Sequence, residues 1–197
     1  MKVRLSKCSI GDEEVEAVSR VLRAEYLGMG AIVLEFENSI QDYLNTSMSV
    51  VCVNTGTSAL QLSVAALDIG HGDEVLVPSL TYVGSFQAIS ATGATPVACE
   101  IDRESFFLDV EDARSKITNK TKAIMPVHYA SSSSGMDAVY SLAQEFNLRV
   151  IEDAAQAFGS RRDNVAIGVD GDIICFSFDG IKNITCGEGG AILTRDK

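Results

Sequence analysis

The sequence predicts an α/β fold in three layers, a mostly parallel sheet between helices, over most of its 197 residues. Three observations predict it. From Ser49 onward, short apolar runs alternate with helical segments. The apolar runs are continuous instead of alternating with polar residues, as in strands buried on both faces. Helix stops such as Gly70-His71-Gly72-Asp73 and the residues around Thr92-Gly93 separate the segments, as repeated strand–helix units require.

The elements follow in order. Residues 12–24 (DEEVEAVSRVLRA) form a helical pattern with acids in the first turn, where the helix dipole favours them. Gly28-Met29-Gly30 breaks the chain. A second amphipathic helix runs from about Ile32 to Leu44, with Val33, Phe36, Ile40 and Tyr43 at helical spacing. This pair stands apart from the rest, which divides the chain into an N-terminal helical segment, 1–48, and an α/β domain, 49–197. The expected strands are SVVCVN, EVLVPS, TPVACE, KAIMPVH, RVIEDA, DIICFSF and GAILT. The expected helices are TSALQLSVAAL, YVGSFQAISAT, DVEDARSKI and AVYSLAQEF. Ser131 to Ser134 reads as a loop or lid. After Thr194 only Arg195-Asp196-Lys197 follow, and no second domain is expected in this chain.

Composition narrows the function classes. Hydrophobic residues at 46% and charged residues at 22% are globular usage, not disorder. A net charge of -11 argues against nucleic-acid binding, which needs clustered Lys and Arg, and solubility accounts for the acidity. The five cysteines are odd in number and form no C-x-x-C pair; Cys52, Cys99 and Cys175 lie inside apolar runs. Reduced thiols in a cytoplasmic protein, with no metal site, are expected. No stretch reaches the length of a membrane span, and Met1-Lys2-Val3-Arg4-Leu5 runs into a charged helix with no signal peptide visible.

Four places can carry chemistry. Asn54-Thr55-Gly56-Thr57-Ser58 follows a strand and opens a helix, so its N–H groups and hydroxyls suit either a phosphate or a plain N-cap. Asp153 ends a buried strand, where a carboxylate either caps a helix or pairs with a protonated ring nitrogen. Lys182 sits in a turn between Gly180 and Gly187-Glu188-Gly189-Gly190, as a surface lysine or as a nucleophile for carbonyls. His128 ends a strand at the same sheet edge, either structural or touching a ligand. His71 and Asp179 are given no role.

Taken in order, these motifs resemble a known family. The set is Gly56-Thr57-Ser58, then Gly72-Asp73-Glu74-Val75-Leu76-Val77-Pro78 leading to Ser79-Leu80-Thr81-Tyr82. Glu152-Asp153-Ala154-Ala155-Gln156-Ala157-Phe158-Gly159 follows, then Cys175-Phe176-Ser177-Phe178-Asp179-Gly180-Ile181-Lys182-Asn183 and Gly187-Glu188-Gly189-Gly190-Ala191. From about Ile10 to Thr194 the chain resembles the DegT/DnrJ/EryC1/StrS family of sugar aminotransferases, which use pyridoxal 5'-phosphate (PLP). The resemblance implies the fold-type I large domain, with 49–197 as the PLP-binding domain and the family's C-terminal small domain absent.

The resemblance also implies residue roles. Lys182 would attach covalently to the cofactor aldehyde and then move the proton. Asp153 would pair with the pyridinium nitrogen, and Gln156 would lie near the phenolic oxygen. Gly56, Thr57 and Ser177 would hold the phosphate with Ser58 beside them, and Tyr82 would stack on the ring. His128 is a possible substrate or cofactor contact. The reaction implied moves an amino group from an amino acid, glutamate being expected, to a nucleotide-linked keto sugar, as in polysaccharide or O-antigen biosynthesis. A homodimer without nucleic acid or membrane partners is expected, as is self-association or disorder near residues 10–35 and around Lys182. Two alternatives remain: a PLP-binding or apo remnant without turnover, and a PLP-dependent sugar dehydratase. Dehydratases of that kind replace the lysine with histidine, so Lys182 speaks against the second.

Overall fold

The computed structural model describes residues 7–196. The Met1–Leu5 stretch, read above as free of a signal peptide, and Lys197 lie outside the described residues.

Seven strands make the central sheet: β1 (Ser49–Val53), β2 (Glu74–Pro78), β3 (Thr95–Cys99), β4 (Thr121–Ile124), β5 (Arg149–Asp153), β8 (Ile173–Ser177) and β9 (Gly190–Thr194). Their spatial order is β1-β9-β8-β5-β4-β2-β3. β9 is antiparallel to both neighbours, and the other strand pairings in this sheet are parallel. All seven expected strands are therefore present. Sequence reading misses a small antiparallel hairpin, β6 (Arg161–Arg162) with β7 (Val165–Ala166), because two polar-flanked residues per strand carry no period.

The helices are α1 (Asp12–Arg23), α2 (Ala31–Leu44), α3 (Gly56–Ala66), α4 (Val83–Ser90), α5 (Val110–Ser115) and α6 (Met136–Phe146). Strand alternation divides the core between two faces. Val75, Val77, Ile151 and Cys175 pack under α3 and α4 with Ala59, Leu60, Val64 and Ile89. Leu76, Ile124 and Val150 meet Met136, Val139 and Leu142 of α6 on the other face. Further along that face, Ile174, Phe176 and Leu193 meet Ile40 and Leu44 of α2. Helices thus cover both faces of the sheet, the three layers expected.

All five cysteines are free. Burial pushes the Cys175 thiol up to about 12 and the Cys99 thiol up to about 11, so neither ionises at neutral pH. α1 has no buried residue. Val18, Leu22, Tyr26, Leu27 and Ile32 remain more than half exposed along a groove between α1 and α2. Among the described residues no helix is long and apolar enough to cross a membrane.

Candidate active site

Loops gather at the C-terminal edge of the parallel strands, where open α/β sheets hold ligands. There a cavity of about 610 Å³ is lined by Gly56, Thr57, Tyr82, Asp153, Gln156, Ser177 and Lys182. Each comes from the end of a strand, the loop after it or the first turn of the helix that follows.

The start of α3 forms one wall. Thr55 caps the helix, its Oγ1 accepting from the Ser58 N–H at 3.0 Å. The N–H groups of Gly56 and Thr57 lie in the first turn, where no intrahelical acceptor exists. Two glycines permit the packing here. A Cβ on Gly56 would lie 2.7 Å from Ser177 Cβ, and one on Gly190 would lie 2.5 Å from the Thr55 carbonyl oxygen. Both Ser177 and Gly190, which pair across β8 and β9, are thereby pressed against the helix start. Ser58 turns back instead: its hydroxyl accepts from Thr55 Oγ1 at 3.0 Å.

Asp153 forms the floor. It is 5% exposed. Its Oδ2 accepts from the Ser85 hydroxyl at 2.7 Å and its Oδ1 from the Ala155 N–H at 3.2 Å. Burial pushes its carboxyl above the ordinary range; the Ser85 and Ala155 hydrogen bonds and the His128 and Lys182 charges pull it back down.

Lys182 lies in the loop joining β8 to β9. Because these strands are antiparallel neighbours, the loop stays at the same sheet edge, whereas a parallel crossover would carry the chain away. The Phe178 N–H donates to the Gly189 carbonyl at 2.9 Å and the Cys186 N–H to the Phe178 carbonyl at 3.1 Å, which pins the loop at its base. Within it Asp179 Oδ1 accepts from the Ile181 N–H and its carbonyl from the Lys182 N–H, both at 3.0 Å. Lys182 is half-buried against the cavity.

Tyr82 is the N-cap of α4 and 70% exposed, its ring at the cavity wall close over Gly84. Gln156 has its side-chain oxygen committed to the Ala130 N–H at 2.8 Å. Its amide nitrogen is the group left to donate toward the cavity. The Ser131 to Ser134 segment, read above as a loop or lid, supplies the Ser131 hydroxyl to the Gln156 carbonyl.

His128 is placed differently. It is fully buried, with Nε2 2.7 Å from Glu152 Oε2 and Nδ1 3.2 Å from the Ser132 carbonyl. Both ring nitrogens are engaged inside the protein, and His128 is not part of the cavity lining. Thr81, Ser85 and Asp179 do line it, without a role from the sequence. Ser85, a serine in the first turn of α4, carries no signal of its own in the sequence.

The donor set has a chemistry. It joins helix-terminal N–H groups and hydroxyls for an anion, a buried carboxylate for a protonated ring nitrogen, an amine for a carbonyl, and an aromatic face. Among the described residues no group of three or more His, Cys, Asp or Glu side chains suits a metal ion.

Comparison with known proteins identifies the family. The model of the DegT/DnrJ/EryC1/StrS aminotransferase family matches residues 8–197. A GDP-perosamine synthase of Escherichia coli O157:H7 is 44% identical over 96% of this chain and 52% of its own length. One of Caulobacter vibrioides is 45% identical over 85% of this chain and 45% of its own. Among solved structures, DesV of S. venezuelae superposes at a TM-score of 0.89 with 42% identity, over 93% of this chain and 50% of that one. Spr1654 of Streptococcus pneumoniae, in its PLP form, superposes at 0.93 with 31% identity, over 100% and 54%. The chain spans about half the length of the curated relatives it matches. The three-layer fold is that of the fold-type I PLP-dependent aminotransferases. With its motifs in order and the family model matched almost end to end, the chain belongs to the DegT/DnrJ/EryC1/StrS aminotransferase family.

Proposed function

We propose that this chain is the cofactor-carrying part of a PLP-dependent aminotransferase that delivers an amino group to a nucleotide-linked keto sugar, with an amino acid, glutamate first, as donor. One observation carries it: Lys182, Asp153 and the N-terminus of α3 line one cavity. The GDP-perosamine synthases among the relatives support the substrate class.

The residues fit PLP. The first-turn N–H groups of Gly56 and Thr57, with the hydroxyls of Thr57 and Ser177, all at the cavity wall, would bind the phosphate. Asp153, buried and acceptor-only when ionised, holds a proton on the ring nitrogen. Gln156 donates its amide N–H to the ring's phenolic oxygen, its own oxygen being held by Ala130. Tyr82, exposed at the cavity wall, would cover one ring face. Lys182 would supply the amine for the cofactor's aldehyde and would serve as the group that moves a proton. When bound, PLP supplies the electron sink. Residues 49–197 form the PLP-binding domain in this account, behind the helical segment 1–48. A homodimer working in the cytoplasm is part of the same proposal.

The test is coupled turnover. Protein supplied with PLP, glutamate and nucleotide-linked keto sugars is expected to release 2-oxoglutarate and an amino sugar in equal amounts. A deoxygenated sugar without amino transfer would replace the proposal with dehydration.

A further inference from the structure

Asp153 is buried, and the group beside it is a second buried side chain with no part in the scheme above. Ser85, in the first turn of α4, is 1% exposed and places its Oγ 2.7 Å from Asp153 Oδ2. Thr81 Oγ1 lies 2.7 Å from the same Ser85 oxygen. A hydroxyl has one hydrogen, and an ionised carboxylate only accepts. With Asp153 ionised, the Ser85 hydrogen goes to its Oδ2 at 2.7 Å in preference to the Tyr82 carbonyl at 3.3 Å, and the Thr81 hydroxyl donates to Ser85. The three groups make a directed chain, Thr81 to Ser85 to Asp153, in which each donation polarises the next. It starts at the cavity wall, where Thr81 is a lining residue, and ends on the carboxylate.

We infer that Ser85 is a positioning residue that keeps Asp153 ionised and turned toward the cavity, with Thr81 reinforcing it. The role rests on Asp153 as the partner of the PLP ring nitrogen. A buried carboxylate reverts to the neutral acid unless donors and cations hold it charged. The groups facing Asp153 are few. Ser85 and Ala155 donate to it, and the charges of His128 and Lys182 act on it. On the neighbouring strand Cys175 is a buried thiol bonded to Ser63, and adjacent in sequence Glu152 engages His128 and Tyr140 on the opposite face. Ala155 contributes a backbone N–H and cannot rotate away. Ser85 is thus the side-chain donor that sets both the charge and the torsion of the carboxylate. Without it a neutral Asp153 would offer the ring nitrogen a hydrogen atom of its own, in place of an acceptor.

The experiment uses the full chain with Ser85→Ala, Ser85→Thr, Thr81→Val and Asp153→Asn, each checked for folding by thermal melting. Two quantities are read: PLP affinity against pH from cofactor absorbance, and the Asp153 carboxyl titration by ¹³C NMR in cofactor-free protein. Ser85→Ala is expected to move the Asp153 midpoint up by about one pH unit, the size of one hydrogen bond to a charged group, and to weaken PLP binding about tenfold near neutral pH. Ser85→Thr restores both, and Thr81→Val shifts both in the same direction by less. An Asp153 midpoint and an affinity profile in Ser85→Ala that match the wild type overturn the role of Ser85, provided Asp153→Asn binds weakly. Wild type and Asp153→Asn binding PLP alike would overturn the role of Asp153 and the inference with it. A midpoint that moves equally in Ser85→Ala and Ser85→Thr points to disturbed packing and also overturns it.

Discussion

Glu152 and Asp153 are neighbours on β5 whose carboxylates serve opposite faces of one sheet. Asp153 meets Ser85 beside the cavity under α4, while Glu152 meets His128 and Tyr140 on the α6 side. The period of two along a strand makes one acid a site residue and the other part of the frame.

The Asp153 carboxyl predicts a trade between stability and binding. Its folded-state pKa is raised by burial. Such a group is stable when protonated, so the fold loses stability as pH climbs from the unfolded value, about 3.9, through the higher folded value, and the deficit persists above it. Asp153→Asn keeps polar partners for Ser85 and the Ala155 N–H and carries no charge. Cofactor-free Asp153→Asn is expected to melt a few degrees above wild type at neutral pH, at roughly 2–4 °C per kcal/mol, with the gap closing in acid. Its PLP affinity falls about 10–100-fold. Melting curves and absorbance titrations at several pH values check both.

The frame side predicts coupled losses. Tyr140 donates to Glu152 Oε1 at 2.6 Å and accepts from the Asp172 N–H at 2.9 Å. Tyr140→Phe is expected to cost about 1–3 kcal/mol. Glu152→Ala strips the buried His128 of its carboxylate and is expected to cost about 3–5 kcal/mol. The double variant costs less than the sum, by at least about 0.5 kcal/mol in a denaturation cycle.

The two tight glycines predict a ranking. Gly190→Ala would press a Cβ on the backbone of Thr55, and Gly56→Ala on Ser177 Cβ; both are expected to cost about 1–3 kcal/mol. Gly187 has open space around it but a φ of +88°, so Gly187→Ala is expected to cost only about 1 kcal/mol. Urea unfolding of the three variants tests the order.

Much of this was legible in the sequence because buried parallel strands write themselves as unbroken apolar runs. RVIED and IICFS leave little other choice, and residues just past such runs fall at the ligand-binding edge. Gly56, Asp153 and Lys182 follow such runs, but each also reads as an ordinary cap or loop residue, and their roles come from the resemblance of the ordered motifs. Side-chain direction was harder to read. His128 lies beyond the end of β4 at that edge, yet its ring turns inward to Glu152, which depends on β5 lying beside β4. Ser85 is equally hidden, since a serine in a helix looks ordinary until the sheet brings Asp153 beneath it.

Covalent trapping asks whether Lys182 carries the cofactor. Protein titrated with PLP, reduced with borohydride and digested is expected to show a yellow absorbance before reduction and a pyridoxyl group on the peptide bearing Lys182, lost in Lys182→Ala. A folded wild-type protein that gives no such absorbance, or a label spread over surface lysines and unchanged in Lys182→Ala, would contradict the account.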